Sequence, residues 1–427
     1  MNTPFRLIPL LILPLMLVSF LFGCTKTRKV IGAHKTEWKQ DELIITYSCS
    51  APPTEASVKN SAAENFNLIP NAEETLDLAQ KNRIKVMLEH GRLSPNVAGD
   101  PVQLKELGEV IDRVKNHPAL AGYYLFDEPK AAEIPELAKV VEFVRARDPK
   151  HYCFINMLPV YGVPGYAVPI EPGVDPSKTY IKFLKSYIET VKPDVLSYDF
   201  YAFHKNKNGE PEDIPGYFAN LSLIREAARS AQIPFINIIQ ACAFDETFRV
   251  PTANELRWQV YTTLAYGGRG ISYFLYWGPT KYGGIYQDGK PRKALLEPIV
   301  ELNKELKTLS PILMSLDSKE VYNSESVSIG KSAVPAESPV QIETDGKYVL
   351  GLFSKRKNID HFMVVNTDYR ASLICKLKLQ RPPNREKNVI AVQFAPQTNS
   401  WKDVTVNETG EFETQIAPGD GRLFRIE

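Results

Sequence analysis

From residue 43 onward the chain alternates between two hydrophobic patterns. Short apolar runs rich in β-forming residues occupy positions 43–48, 65–69, 84–89, 120–126, 152–157, 195–201, 234–240 and 270–277. Between them, apolar residues recur every three or four positions over 73–82, 101–116, 134–148, 176–192, 216–231 and 252–267, the spacing of one buried helix face. The first connection, 51–64, is helix-compatible, and a last helical pattern spans 293–309. The strand runs are nearly continuous in apolar residues, as parallel strands covered on both faces require. Eight strands alternating with eight helices predict an α/β fold, a closed (β/α)8 TIM barrel over residues 41–312.

Beyond residue 317 the period changes to two. Strand patterns at 348–354, 361–365, 373–379, 389–394, 412–416 and 422–426 are punctuated by Glu408-Thr409-Gly410 and Pro418-Gly419-Asp420-Gly421. Short strands without helices predict a small all-β sandwich over residues 317–427. The barrel is expected to carry the chemistry and the sandwich to prop or extend it.

Residues 1–24 follow neither pattern. Arg6 precedes an apolar run over 7–22, broken only by Pro9, Pro14 and Ser19, and Leu21-Phe22-Gly23-Cys24 resembles a lipobox. The run is shorter than the roughly 20 residues of a membrane-spanning helix, and its prolines disfavour one. The expectation is a bacterial lipoprotein signal, with Cys24 lipidated as the new N-terminus and residues 25–40 as a tether. Thr25, Lys26, Thr27, Arg28 and Lys29 make that tether basic. It lacks the acidic residues of a surface-export signal. A lipid anchor in the bacterial cell envelope follows, facing the periplasm from the outer membrane rather than lying on the cell surface.

Composition narrows the partners. Hydrophobic residues make up 44% of 427 and charged residues 24%, the profile of a globular chain with a real core. Lys and Arg number 51 against 50 Asp and Glu, so a charge-driven grip on nucleic acid is excluded. The aromatic supply, with 20 Tyr and 20 Phe, permits a stacking surface. Cys49, Cys153, Cys242 and Cys375 match no zinc or redox spacing and are expected as buried free thiols.

Active groups of such barrels gather at the C-terminal ends of the strands. There the sequence places Glu89-His90, Asp127-Glu128-Pro129, Tyr198-Asp199-Phe200-Tyr201, Gln240 and Tyr276-Trp277, with His204 just beyond the sixth strand. The six histidines are scattered and none lies on the first strand, so a metal-dependent hydrolase is not supported. No Gly-rich phosphate loop and no Gly-x-Ser-x-Gly elbow occurs. What remains is carboxylate chemistry between aromatic walls, the equipment of glycoside hydrolysis, with no metal or organic cofactor and a carbohydrate as substrate.

Leu125-Phe126-Asp127-Glu128-Pro129 resembles the Asn-Glu-Pro at the fourth strand of clan A barrel glycoside hydrolases. Tyr276-Trp277 resembles that clan's tryptophan platform beneath the sugar. The stretch from Pro251-Thr252 through Trp277 is similar to bacterial cellulase- and β-galactosidase-like barrels, and the C-terminal Pro418-Gly419-Asp420-Gly421-Arg422-Leu423-Phe424 to their appended sandwiches. The resemblance spans residues 40–310 in layout and implies Glu128 as general acid/base and Trp277 as platform. It fails at the seventh strand, where Ile238-Ile239-Gln240 stands in place of the nucleophilic glutamate. Asp127 also replaces the asparagine.

The second carboxylate must then come from elsewhere. Asp199 is preferred, as base or nucleophile, with Glu89 as the alternative. An inverting pair would leave a gap of roughly 6.5–9.5 Å for water, whereas a closer pair favours Asp199 as nucleophile. Glu128 is expected to hold its proton because Asp127 lies beside it. Asp127, Trp277, Tyr201, Gln240, Glu89 and Tyr276 are the expected substrate-binding residues, Gln240 through a sugar hydroxyl or the attacking water. Tyr47 and Tyr161 read as packing or rim residues, and His90 as structural. Asp245 and Glu246 lie on the loop after the seventh strand, within possible reach of the cleft. Thr252-Ala253-Asn254-Glu255 fits a helix capping box, which gives Glu255 a structural role. The competing reading is a catalytically silent glycan-binding lipoprotein on a barrel scaffold.

Overall fold

The computed structural model describes residues 36–243, 245–380 and 391–427. The leader with Cys24 and most of the tether lie outside the described residues, as do positions 389–390 of one expected strand.

Eight parallel strands form the central sheet: β1 (Ile44–Tyr47), β2 (Leu68–Asn71), β3 (Lys85–Leu88), β4 (Leu120–Asp127), β5 (Tyr152–Met157), β6 (Leu196–Phe200), β7 (Phe235–Gln240) and β8 (Gly270–Phe274). Their ladder runs β1-β8-β7-β6-β5-β4-β3-β2. At the remaining seam, between β1 and β2, the Asn67 N–H donates to the Ile45 carbonyl at 3.1 Å and the Asn67 side chain adds two further bonds. Asn67 accepts from the Ile45 N–H and donates to the Leu43 carbonyl, both at 2.8 Å. The side-chain amide thereby satisfies β1 groups that the single backbone bond leaves open. The result is a nearly closed barrel of TIM type.

Each strand is followed by a helix: α1 (Glu55–Ala63), α2 (Leu76–Lys81), α3 (Pro101–Val114), α4 (Ile134–Arg147), α5 (Pro176–Val191), α6 (Tyr217–Ala231), α7 (Ala253–Ala265) and α8 (Lys293–Met314). Their starts are written locally. Thr54, Asp100, Asp175 and Thr252 accept hydrogen bonds from the first-turn N–H groups of α1, α3, α5 and α7. Thr252 and Glu255 close the reciprocal capping box. Asn65, at φ 66°, turns the chain out of α1, so β2 begins at Leu68 rather than at residue 65. The helix at 73–82 opens with a 3-10 turn, Glu73–Thr75.

The barrel interior is packed rather than open. Ile44, Leu68, Met87, Tyr152, Phe154, Val195, Ile236 and Ile238 form one buried cluster. Trp38 closes its N-terminal end, 4.8 Å from the Tyr152 ring, and Tyr124 and Phe274 pack against the same cluster.

The C-terminal strands are β9 (Asp317–Asn323), β10 (Val340–Ile342), β11 (Tyr348–Ser354), β12 (His361–Asn366), β13 (Leu373–Leu379), β14 (Ala391–Ala395), β15 (Ser400–Val404), β16 (Glu411–Ile416) and β17 (Gly421–Ile426). A six-stranded sheet, β9-β11-β12-β17-β14-β15, faces a three-stranded one, β10-β13-β16. Alternation divides the larger sheet between two cores. Leu350, Leu352, Phe362, Val364 and Phe424 meet Leu377 and Phe412 of the smaller sheet. Val349, Phe353, Met363, Val365 and Leu423 join the barrel core instead. The sheet sits tightly on α7: a Cβ at Gly351 would fall 2.3 Å from the Ala265 carbonyl oxygen. Arg257 clamps the junction, pairing with Glu305 of α8 at 2.8 Å and Asp420 of the sandwich at 2.7 Å.

Candidate active site

β4 carries one residue more than its neighbour requires. Tyr124 pairs with Phe154 and Asp127 with Asn156, so three steps of β4 span two of β5. This bulge shifts the alternation and aims both Tyr124 and Asp127 at the barrel interior, as Phe154 and Asn156 are aimed. Glu128 follows with its N–H on the Asn156 carbonyl at 2.9 Å and a φ of 50°. A non-glycine residue before proline prefers extended backbone, so this conformation is strained. Such strain collects where a side chain must be aimed.

The strained turn brings Glu128 into hydrogen-bonding contact with Asp199 at the end of β6. Asp199 is only 2% exposed. Between β4 and β6 stands Asn156, whose amide nitrogen donates to Asp127 at 3.0 Å and to Asp199 at 3.4 Å. Ser197 in turn donates to the Asn156 oxygen at 3.1 Å, which fixes the amide's orientation. Burial raises the affinity of all three carboxyls for protons, and their mutual repulsion raises it further for Glu128 and Asp199. Two carboxyls in contact share one proton.

One expectation about this pair changes and one holds. The water-sized gap of an inverting enzyme is absent, because the carboxyls touch. Glu128 holds its proton more tightly than a free carboxyl, through burial and then the charge of Asp127, as expected.

Around the pair, Tyr201 hydrogen-bonds Asp199 and stacks on Phe274, with ring centroids 5.1 Å apart. The Tyr161 hydroxyl accepts from the Tyr201 N–H at 3.4 Å. Glu89 stands at the end of β3, where Ser50 donates to it at 2.6 Å; burial raises its affinity for protons too. Cys49, expected as buried, is exposed at the end of β1 at φ 65°. Its thiol is pushed up to about 11 by desolvation and by the charges of Asp127 and Glu89. Cys153, Cys242 and Cys375 are buried and free.

Gln240 does not offer its amide to the cleft. It is fully buried, its oxygen accepts from the Phe203 N–H at 2.9 Å, and its nitrogen faces the carbonyls of Phe203, Cys242 and Arg249 at 3.0, 3.2 and 2.8 Å. Every polar atom is spent on holding the loops after β6 and β7, so the expected sugar contact is corrected to a brace. Tyr276 is corrected likewise. It stacks on Tyr47 at 3.8 Å and donates to buried Glu64 at 2.7 Å, behind the barrel wall. Asp245 is used locally, accepting from the N–H and hydroxyl of Thr247.

Trp277 lies three residues past the end of β8, half-buried in a short ribbon with Tyr286. Its ring stacks on Tyr286 at 5.5 Å, and Tyr286 is anchored by donating to Glu64 at 2.6 Å. Phe274, not Trp277, is the last aromatic of the strand itself. Asn156, Phe274, Tyr124 and Ser50 are site residues that the sequence reading missed. Asn156 alone left a signal, as the polar residue inside an otherwise apolar run. Among the described residues no three His, Cys, Asp or Glu side chains converge to hold a metal ion.

No protein-family model and no curated protein matches the chain. Solved structures do. A glycoside hydrolase aligns over 90% of this chain and 92% of its own at 12% identity, with a TM-score of 0.55. A glycoside hydrolase of family 5 from Bacteroides vulgatus aligns over 90% and 89%, at 12% identity and a TM-score of 0.54. The cold-adapted β-galactosidase from Rahnella sp. R3 gives 68% and 60%, at 11% identity and a TM-score of 0.50. At these identities the shared property is the fold, a barrel scaffold on which glycosidases are built.

Proposed function

We propose that the chain is a glycoside hydrolase acting on a poly- or oligosaccharide, with Glu128 as general acid and Asp199 as nucleophile. The observation that carries this reading is the hydrogen-bonded Glu128–Asp199 pair at the C-terminal mouth of the barrel. One proton over two carboxyls supplies one acid and one base near neutrality, as the reaction requires. As a sugar enters, the shared proton is carried by Glu128, the less buried of the two carboxyls. Glu128 then protonates the bridging oxygen while the Asp199 carboxylate attacks the anomeric carbon. The glycosidic bond breaks, the alcohol leaves, and a glycosyl ester forms on Asp199. Water, deprotonated by Glu128, then releases the sugar and restores the pair.

Asp127 and Glu89 are proposed to hold sugar hydroxyls, Tyr201 to orient Asp199, and Trp277 to stack on the sugar. Contact between the two carboxyls favours the double-displacement route over an inverting one. Glu89 stays the alternative second carboxylate. We also propose, from the leader sequence alone, that Cys24 carries a lipid anchor and that the barrel works in the bacterial envelope, facing the periplasm. The fully engaged Gln240 favours a second reading, a glycan-binding protein without catalysis.

Sugar release from a panel of oligo- and polysaccharides tests the proposal, with the first-formed anomer read by proton NMR. Retained configuration is expected. Inversion would return Asp199 to the role of base, and silence on every substrate with retained binding would favour the binding protein.

A further inference from the structure

The loop after β5 presents two open tyrosine rings beside Glu128. Tyr161 is 43% exposed and Tyr166 54%. Neither is loosely placed. The Tyr161 hydroxyl accepts from the Tyr201 N–H, and its ring meets Phe200 edge-on at 5.1 Å. Lys130, two residues after Glu128, sets its ammonium 5.2 Å over the Tyr166 ring. The Ala131 N–H donates to the Ala167 carbonyl at 3.0 Å, tying this loop to the segment that carries Glu128. Val163 and Ala167 are buried beneath it, and Tyr180 donates to the Leu158 carbonyl at 2.9 Å. Rings held in place yet left open to water are suited to receive a flat apolar partner, and a sugar ring offers such a face of C–H groups.

Their position relative to the carboxyl pair gives them a direction. β4 and β8 lie on opposite sides of an eight-stranded barrel. A chain of sugars crossing Glu128 and Asp199 therefore runs from Trp277, after β8, to the tyrosines flanking β4. The acid touches the bridging oxygen, so the ring beyond that oxygen lies on the Glu128 side.

We propose that Tyr161 and Tyr166 form a sugar-ring subsite on the leaving-group side of Glu128, so that the chain cuts between sugars rather than releasing small alcohols. This rests on the hydrolase reading. Lys130 adds a donor for ring hydroxyls beside Tyr166. Tyr166 faces solvent, so its replacement leaves the folded core intact.

The test compares two substrate types on the full chain. One is a set of β-linked gluco-, xylo-, manno- and galacto-hexaoses; the other is the matching p-nitrophenyl monoglycosides, whose leaving group is no sugar. Tyr166→Ala and Tyr161→Ala are expected to lower kcat/KM on the accepted hexaose about tenfold each, the worth of one aromatic contact. Tyr166→Phe should restore the activity that Tyr166→Ala loses, and Tyr166→Ala should leave the aryl glycoside unaffected. Calorimetric titration of the hexaoses into Glu128→Gln, with and without Tyr166→Ala, reads the same subsite without turnover. Tyrosine-dependent binding alongside a parent that hydrolyses nothing would sink the hydrolase reading and keep the sugar subsite. Equal losses on both substrate types, no loss on either, or no hexaose bound would overturn the subsite.

Discussion

The carboxyl of Glu128 hydrogen-bonds the carboxyl of Asp199 across the end of β5. Neither strand neighbours the other in the ladder, and the contact depends on a bulge, a strained turn and one bridging amide. Its consequences can be measured.

Stability should fall as pH rises through the range where this pair titrates. Both groups bind protons more tightly when folded than when unfolded, Asp199 most of all because of its burial. The folded state then holds a proton that the unfolded state releases above a pH of about 4. The resulting loss is absent at acid pH and grows until the folded group itself ionises. Asp199→Asn removes this penalty, so urea midpoints should favour the variant by about 1–2 kcal/mol at pH 8 and by little at pH 4. A variant equally stabilised at both pH values would contradict the buried, proton-holding pair.

Asn156 acts by positioning. It donates to Asp127 and Asp199 and is itself fixed by Ser197. Asn156→Ala should take a donor from Asp127 and from Asp199, leaving Asp199 with Tyr201, and raise their proton affinity further. The pH–rate profile should shift its limbs upward, and kcat should fall about tenfold or more, with KM less affected. An unshifted profile would remove Asn156 from the site.

Restoring a carboxylate on β7 should not create a nucleophile. Gln240→Glu places an acceptor against the carbonyl oxygens of Phe203, Cys242 and Arg249, where an N–H₂ group now donates. Unpaired buried acceptors and a buried charge cost about 3 kcal/mol or more. A lowered melting midpoint without gain in sugar release is expected, and a more active variant would contradict the bracing role.

The sandwich junction is testable through Arg257. Removing it leaves the largely buried Glu305 without a counter-charge and Asp420 with Arg422 alone. Arg257→Ala should cost about 3–5 kcal/mol by denaturant titration. A loss below about 1 kcal/mol would mean that the apolar contacts alone hold the two parts together.

The barrel was legible because its strands announce themselves. Uninterrupted apolar runs such as Phe235–Gln240 cannot be buried on two faces any other way, and the capping box from Thr252 to Glu255 marks the start of α7. The weaker elements were hidden by composition. Asp317–Asn323 and Ser400–Val404 are strands rich in charge and polarity, paired at sheet edges where the period-two signal fades. At the site, Asp127, Glu128 and Asp199 were identified by their place at strand ends and lie together in the structure. Gln240 and Tyr276 were named on the same logic and point elsewhere, because strand-end position does not fix orientation. Asn156 and Phe274 were missed for the converse reason. The bulge that turns Asp127 inward depends on a register that only the folded ladder shows.

The most direct measurement is hydrolysis by three proteins in parallel: the parent chain, Glu128→Gln and Asp199→Asn, on whichever substrate of the saccharide panel is released fastest. The paired-carboxyl site predicts that each single variant loses about 10²–10⁴-fold in kcat, with folding intact by circular dichroism. Undiminished sugar release from either variant would contradict it.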